Sequence, residues 1–141
     1  MSELYRVQDN DGRGPWRPGY SHKWVSDDRN APNLLPPIFE ELPSFKQVVT
    51  LAHTMGFHVG VAVRGWQKFA AWFLPDELER LRRDGFNVVQ CDNCRVFAET
   101  DNQVLIGAKA PLSNLPALPW QHVLQRHSTD LINANVGKVR G

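Results

Sequence analysis

The chain has 141 residues, a length at which one hydrophobic core is usual and two complete domains are not. With 42% hydrophobic residues, 22% charged residues and a net charge of +1, it is too apolar to be disordered throughout. It also lacks the broad basic field that generic nucleic-acid binding uses.

Ten Gly and ten Pro disfavour a helical bundle, and apolar runs such as 57–63 are interrupted by His58 and Gly60, well short of the roughly 20 residues of a membrane span. The opening Met-Ser-Glu-Leu-Tyr-Arg has no basic-then-apolar signal layout, so the expectation is a soluble cytoplasmic protein with no membrane partner. In chain order, Tyr5 and Val7 alternate with Arg6 and Gln8 and predict a first strand, with Leu4 on the face of Arg6. Residues 9–43 are dense in Gly, Pro and Asx and read as a long loop. Loops of that length are usually functional or disordered. Trp16, Tyr20 and Trp24 seek apolar contact and favour a packed, functional one.

Ser44 with Gln47 three residues on resembles a capping box, and Phe45, Val48, Val49 and Ala52 predict a helix over 45–54 ending near Gly56. A strand follows over 57–64, expected to be buried on both faces. Next comes a helix from about Gly65 carrying Trp66, Phe69, Ala70 and Phe73 on one side. Another opens at Pro75, with Asp76 and Glu77 at its positive end and Arg80, Arg82 and Arg83 at its negative end, and closes at Gly85. Residues 86–91, 95–98 and 103–108 predict three short strands, and 120–127 a short helix. The order implies an α+β fold: a small, mostly antiparallel sheet with about three helices. A single domain over 1–141 is expected, with a core over about 4–109, the 9–43 loop and a Pro-rich extension over 110–141.

Neither the dinucleotide glycine fingerprint nor the phosphate-loop signature is present. Cys91-Asp-Asn-Cys94 has the spacing of a zinc or redox pair, but no second ligand pair accompanies it and it lies between two strands, so it reads as two cysteines flanking a turn; no metal is expected. His53 and His58 straddle a helix-to-strand turn. Three features stand apart. Arg6 in the first strand needs an anionic partner if it points inward, Gly60 interrupts an apolar strand, and Glu99-Thr-Asp-Asn-Gln103 leads directly into Val-Leu-Ile.

An Arg in strand one, a second strand leading into a helix, and an acidic turn running into Val104-Leu-Ile together resemble the ADP-ribosyltransferase superfamily, over residues 4 to about 109. The resemblance implies NAD as donor and transfer of ADP-ribose to a macromolecular target, a protein. Arg6 would take the position that holds NAD, Gln103 that of the catalytic Glu, and Asp101 the earlier acidic place. Gln103 cannot carry the charge that supports an oxocarbenium-like transition state. Catalysis is therefore expected to be altered or lost, with Glu99 a candidate replacement and His58 a candidate proton shuttle or ribose contact. Arg13, Trp16, Arg17, Tyr20 and His22 would help bind the dinucleotide, Trp24 being a further base-stacking candidate. The competing expectation is a non-enzymatic inhibitor or adaptor, of the kind found in phages and mobile elements, that binds a host protein through Arg13, Trp16, Arg17, Tyr20 and Trp24.

Overall fold

The computed structural model describes residues 3–14, 38–73 and 75–126. The elements are β1 (Leu4–Gln8), α1 (Ile38–Glu41), α2 (Phe45–Thr54), β2 (His58–Arg64), α3 (Trp66–Trp72), α4 (Pro75–Arg83), β3 (Asn87–Gln90), β4 (Arg95–Glu99) and β5 (Val104–Ala108), then a 3-10 turn at Leu112–Asn114. A helix over 120–126, α5, ends the described chain. The five strands form one antiparallel sheet in the order β3-β1-β2-β5-β4. The chain is thus a small α+β domain with an antiparallel sheet.

Alternation of side chains across the strands divides the core in two. Tyr5, Val7, Val63 and Val88 share one cluster with Trp66, Phe69 and Phe73 from α3 and its end, Leu78 and Leu81 from α4, and Val123 from α5. Aromatic edges set the docking of α3: Tyr5 meets Trp66 in a T-shaped contact at 5.1 Å, and Phe69 tilts on Phe73 at 4.9 Å. The opposite face gathers Leu4, Ala62, Val89, Cys91, Val104 and Ile106, with Leu112 as a cover.

The sheet is split and curled. β2 pairs with β5 along His58 to Ala62, but with β1 only at Val63 and Arg64. β1 turns instead to β3, with four residue pairs from Tyr5↔Gln90 to Gln8↔Asn87. β3 and β4 stand at opposite edges, yet only residues 91–94 connect them. A flat sheet would separate those edges by about 19 Å at ~4.8 Å per strand. The 91–94 turn, closed by Cys94 N–H donating to Cys91 O at 3.0 Å, is too short for that. The edges curl toward each other, and the second cluster lies inside the curl. The outer side of β3 is covered by the residues that follow the 3-10 turn, with Leu118 N–H donating to Val88 O and Gln90 N–H to Pro116 O.

Three local expectations change. Ser44 makes no side-chain cap; its backbone φ of −87° and ψ of 16° continue the turn from α1, and Phe45 N–H bonds Leu42 O. β2 is not buried on both faces: His58 is exposed, while Gly60, Ala62 and Val63 are buried. Residues 38–41, inside the expected loop, form a helical turn with Ile38 buried.

Candidate functional site

The split between β1 and β2 is filled by Arg6. Its Nη1 donates to Val61 O at 3.0 Å, just beyond the last β1-paired position of β2, so a side chain replaces the ladder bond that β1 no longer supplies. Nη2 donates to Gly12 O at 2.8 Å, and Nε to Gln8 Oε1 at 3.0 Å. Gln8, itself buried, donates through Nε2 to Leu112 O at 2.7 Å. Gly60 makes the arrangement possible. A Cβ there would stand 2.9 Å from Arg6 Cζ and 2.8 Å from Leu112 Cδ1, closer than real side chains approach.

The loop after β1 is built to deliver the Gly12 carbonyl. Asp9 Oδ1 accepts the N–H groups of Asp11 at 2.9 Å and Arg13 at 3.0 Å, and Asp9 N–H bonds Arg13 O at 2.8 Å. Gly12 takes φ +84°, the left-handed conformation, where its Cβ would also crowd Ser113 and Leu112. A guanidinium has five N–H donors. Three go to oxygens of two backbone carbonyls and one side-chain amide, and none of these acceptors is a carboxylate. Burial lowers the Arg6 pKa, partly offset by the potentials of Cys91, Asp9 and Cys94. Arg remains charged under any such shift. A Cβ built on Gly14 would lie 3.9 Å from both Nη atoms, so glycine leaves the end of the fork uncovered by a side chain at that position.

Beside this enclosure lies a cavity of about 260 Å³ whose wall includes Asp11, Gly12, His53, His58 and Leu112. Gly12 and Leu112 are common to both, so His58 and Arg6 border the same corner of the split sheet. The volume falls just under the roughly 300–1,000 Å³ of typical small-molecule sites.

Glu99 and Gln103 lie elsewhere. Val104, the residue after Gln103, is paired with Ala62, four residues along β2 from His58, which is about 13 Å at ~3.3 Å per residue. Gln103 is buried and donates through Nε2 to Glu41 Oε1 at 2.9 Å. Thr100 Oγ1 donates to the same oxygen at 2.9 Å, and Asn102 Nδ2 to Glu41 Oε2 at 2.6 Å. Burial alone would raise the Glu41 carboxyl, but the donors Gln103, Asn102 and Thr100 outweigh it and hold it below its ordinary value. Glu99 ends β4 and takes a two-pronged ion pair from Arg64, Nε at 2.7 Å and Nη2 at 2.8 Å, which lowers its own pKa. The register therefore sets His58 well away from Gln103, and the hydrogen bonds of Glu99 and Gln103 go to Arg64 and Glu41 and not to Arg6.

Arg13 is exposed. Trp16, Arg17, Tyr20, His22 and Trp24 lie outside the described residues. Sequence reasoning singled out His53 with His58 but passed over Glu41, hidden among prolines, and Asp11 and Leu112 as cavity neighbours. Only the helix-to-strand spacing of the two histidines signalled the cavity wall. Among the described residues no three His, Cys, Asp or Glu side chains are grouped to hold a metal ion, and no helix is long and apolar enough to cross a membrane. No protein-family model matches the chain, nor does any curated protein or solved structure.

Proposed function

We propose that this chain is an NAD-binding protein of the ADP-ribosyltransferase-like kind, in which Arg6 receives the dinucleotide pyrophosphate and transfer by the usual glutamate route is lost. The observation that supports it is the Arg6 guanidinium enclosed at the sheet split with neutral acceptors on three of its five N–H groups. A part-buried cation with no carboxylate bonded to it is better satisfied when an anion completes it, and a guanidinium fork suits phosphate oxygens. The adjacent cavity, with His58 at its wall, accepts one nucleoside half. Loss of the transfer step is supported by the neighbours of the two acidic-turn residues: Gln103 is uncharged and donates to Glu41, and the Glu99 carboxylate is held in an ion pair by Arg64.

Calorimetric titration of the full chain with NAD tests this reading. A saturable heat is expected, weakened at least tenfold in Arg6→Ala, whose unfolding stays cooperative, and no ADP-ribose is expected on added acceptor proteins. Absence of heat at millimolar NAD would overturn it, and a stoichiometric protein partner captured without NAD would favour the adaptor reading instead.

A further inference from the structure

Cys91 and Cys94 close the turn between β3 and β4, where the curled sheet brings its two edges together, and both are free thiols. The Cys94 N–H to Cys91 O bond defines a turn whose end Cα atoms lie within about 7 Å. A disulfide needs Cα atoms up to about 6.8 Å apart, so the backbone already has the required closeness. The turn is also held from outside. Leu4 N–H donates to Asp92 Oδ1 at 2.8 Å, Gln90 Nε2 to Asp92 Oδ2 at 2.8 Å, and Cys91 N–H to Leu4 O at 2.8 Å.

The two sulfurs are not equivalent. Cys91 is fully buried in the second cluster, whereas Cys94 is only partly buried and open to a reagent. The Cys91 thiol donates to Val89 O, with sulfur and oxygen 4.0 Å apart, and its closeness holds Cys94 below the usual thiol range. Arg6 pulls the same way, against desolvation and Asp92. The same closeness, with burial, pushes Cys91 upward. In thiol pairs that open a helix, the helix terminus stabilises the attacking thiolate. Here the neighbouring thiol and a guanidinium do so.

We propose that Cys91 and Cys94 are a reversible redox pair that exchanges with small disulfides of the glutathione type. The Cys94 thiolate attacks one sulfur of the disulfide, forms a mixed disulfide and releases one thiolate, which takes up the Cys91 proton. Cys91 then attacks the Cys94 sulfur, closing the internal bond and expelling the second thiolate, which is protonated from solvent. Two protein thiols are oxidised by two electrons, and one small disulfide is reduced to two thiols. The pair rests on the turn geometry and on the unequal exposure of the two thiols, and does not presuppose dinucleotide binding.

The test equilibrates the full chain in glutathione buffers of graded ratio, quenches with acid and reads the intact mass after alkylation. A single two-electron transition to a species lighter by two hydrogens is expected, reversed by dithiothreitol. In the reduced chain, iodoacetamide should label Cys94 at least about tenfold faster than Cys91. Cys91→Ala should accumulate a glutathione adduct at Cys94, and Cys94→Ser should form none. A chain that stays reduced, or collects only glutathione adducts under excess oxidised glutathione, overturns the proposal, as does equal labelling of the two thiols. The titration of the unsubstituted chain decides even where a variant fails to fold.

Discussion

Gly60→Ala tests whether the guanidinium truly occupies the split. The new methyl carbon would sit 2.9 Å from Arg6 Cζ and 3.0 Å from Nη1, against ordinary carbon contacts of about 3.5–4.0 Å. The guanidinium must retreat by about 0.6–1 Å. Its 3.0 Å bond to Val61 O then lengthens beyond hydrogen-bond range, at a cost of about 1.5–3 kcal/mol for a charged donor. Displacing the Leu112 end group adds up to about 1 kcal/mol, and the lower chain entropy of alanine returns about 0.5 kcal/mol. The net expectation is about 1–3.5 kcal/mol. At ~0.3 kcal/mol per degree for a chain of 141 residues, Tm falls by about 3–12 °C. Urea and thermal unfolding measure this, and the same substitution in an Arg6→Met background isolates its origin. There the methyl group meets a flexible apolar chain, and the added loss should stay under about 1 kcal/mol. A Gly60→Ala protein within about 0.5 kcal/mol of its parent, or an equal loss in both backgrounds, would refute the fit of Arg6 across β2.

The Glu41 cluster yields two more expectations. Gln103→Glu replaces a buried donor with a second carboxylate against Glu41, so urea unfolding at pH 7 should show a loss of about 2–4 kcal/mol that shrinks below the carboxylate range; a variant as stable as its parent at pH 7 would deny the contact. Because the Glu41 carboxyl is held low in the folded state, its contribution is present above the unfolded value of about 4.3 and is lost as pH falls through the folded one. Glu41→Gln should therefore cost about 1 kcal/mol at pH 7 and flatten the decline of Tm between about pH 5 and 3; an unchanged acid limb would show that the carboxylate does not hold the turn.

Elements whose signals are local were legible. Gly56, Gly85 and Pro75 punctuate α2 and α4, apolar spacing marks α3, and the period-two run of β1 and the continuous apolar run of β5 stand out in the sequence. The short helix Ile38–Glu41 was not, because its prolines dominate a local reading while its purpose is tertiary: Glu41 meets Thr100, Asn102 and Gln103 across 59, 61 and 62 residues. Ser44 failed as a cap for a related reason, since a turn entering directly from α1 already fixes its backbone. Arg6 and Gly60 were each conspicuous, yet that one lies across the other depends on β1 leaving β2 after Val63, a register choice no short pattern encodes. The acidic run 99–103 looked like one polar site and divides instead between an ion pair and a clamp.

Because β2 lends its first five residues to β5 and its last two to β1, it is the common rail of two half-sheets that share few main-chain bonds. Cooperative units of opening tend to follow such seams. Native-state hydrogen exchange should accordingly resolve two tiers: amides of β1 and β3, fastened by the aromatic cluster beneath α3, and amides of β4 and β5, which can loosen while the first tier stays closed.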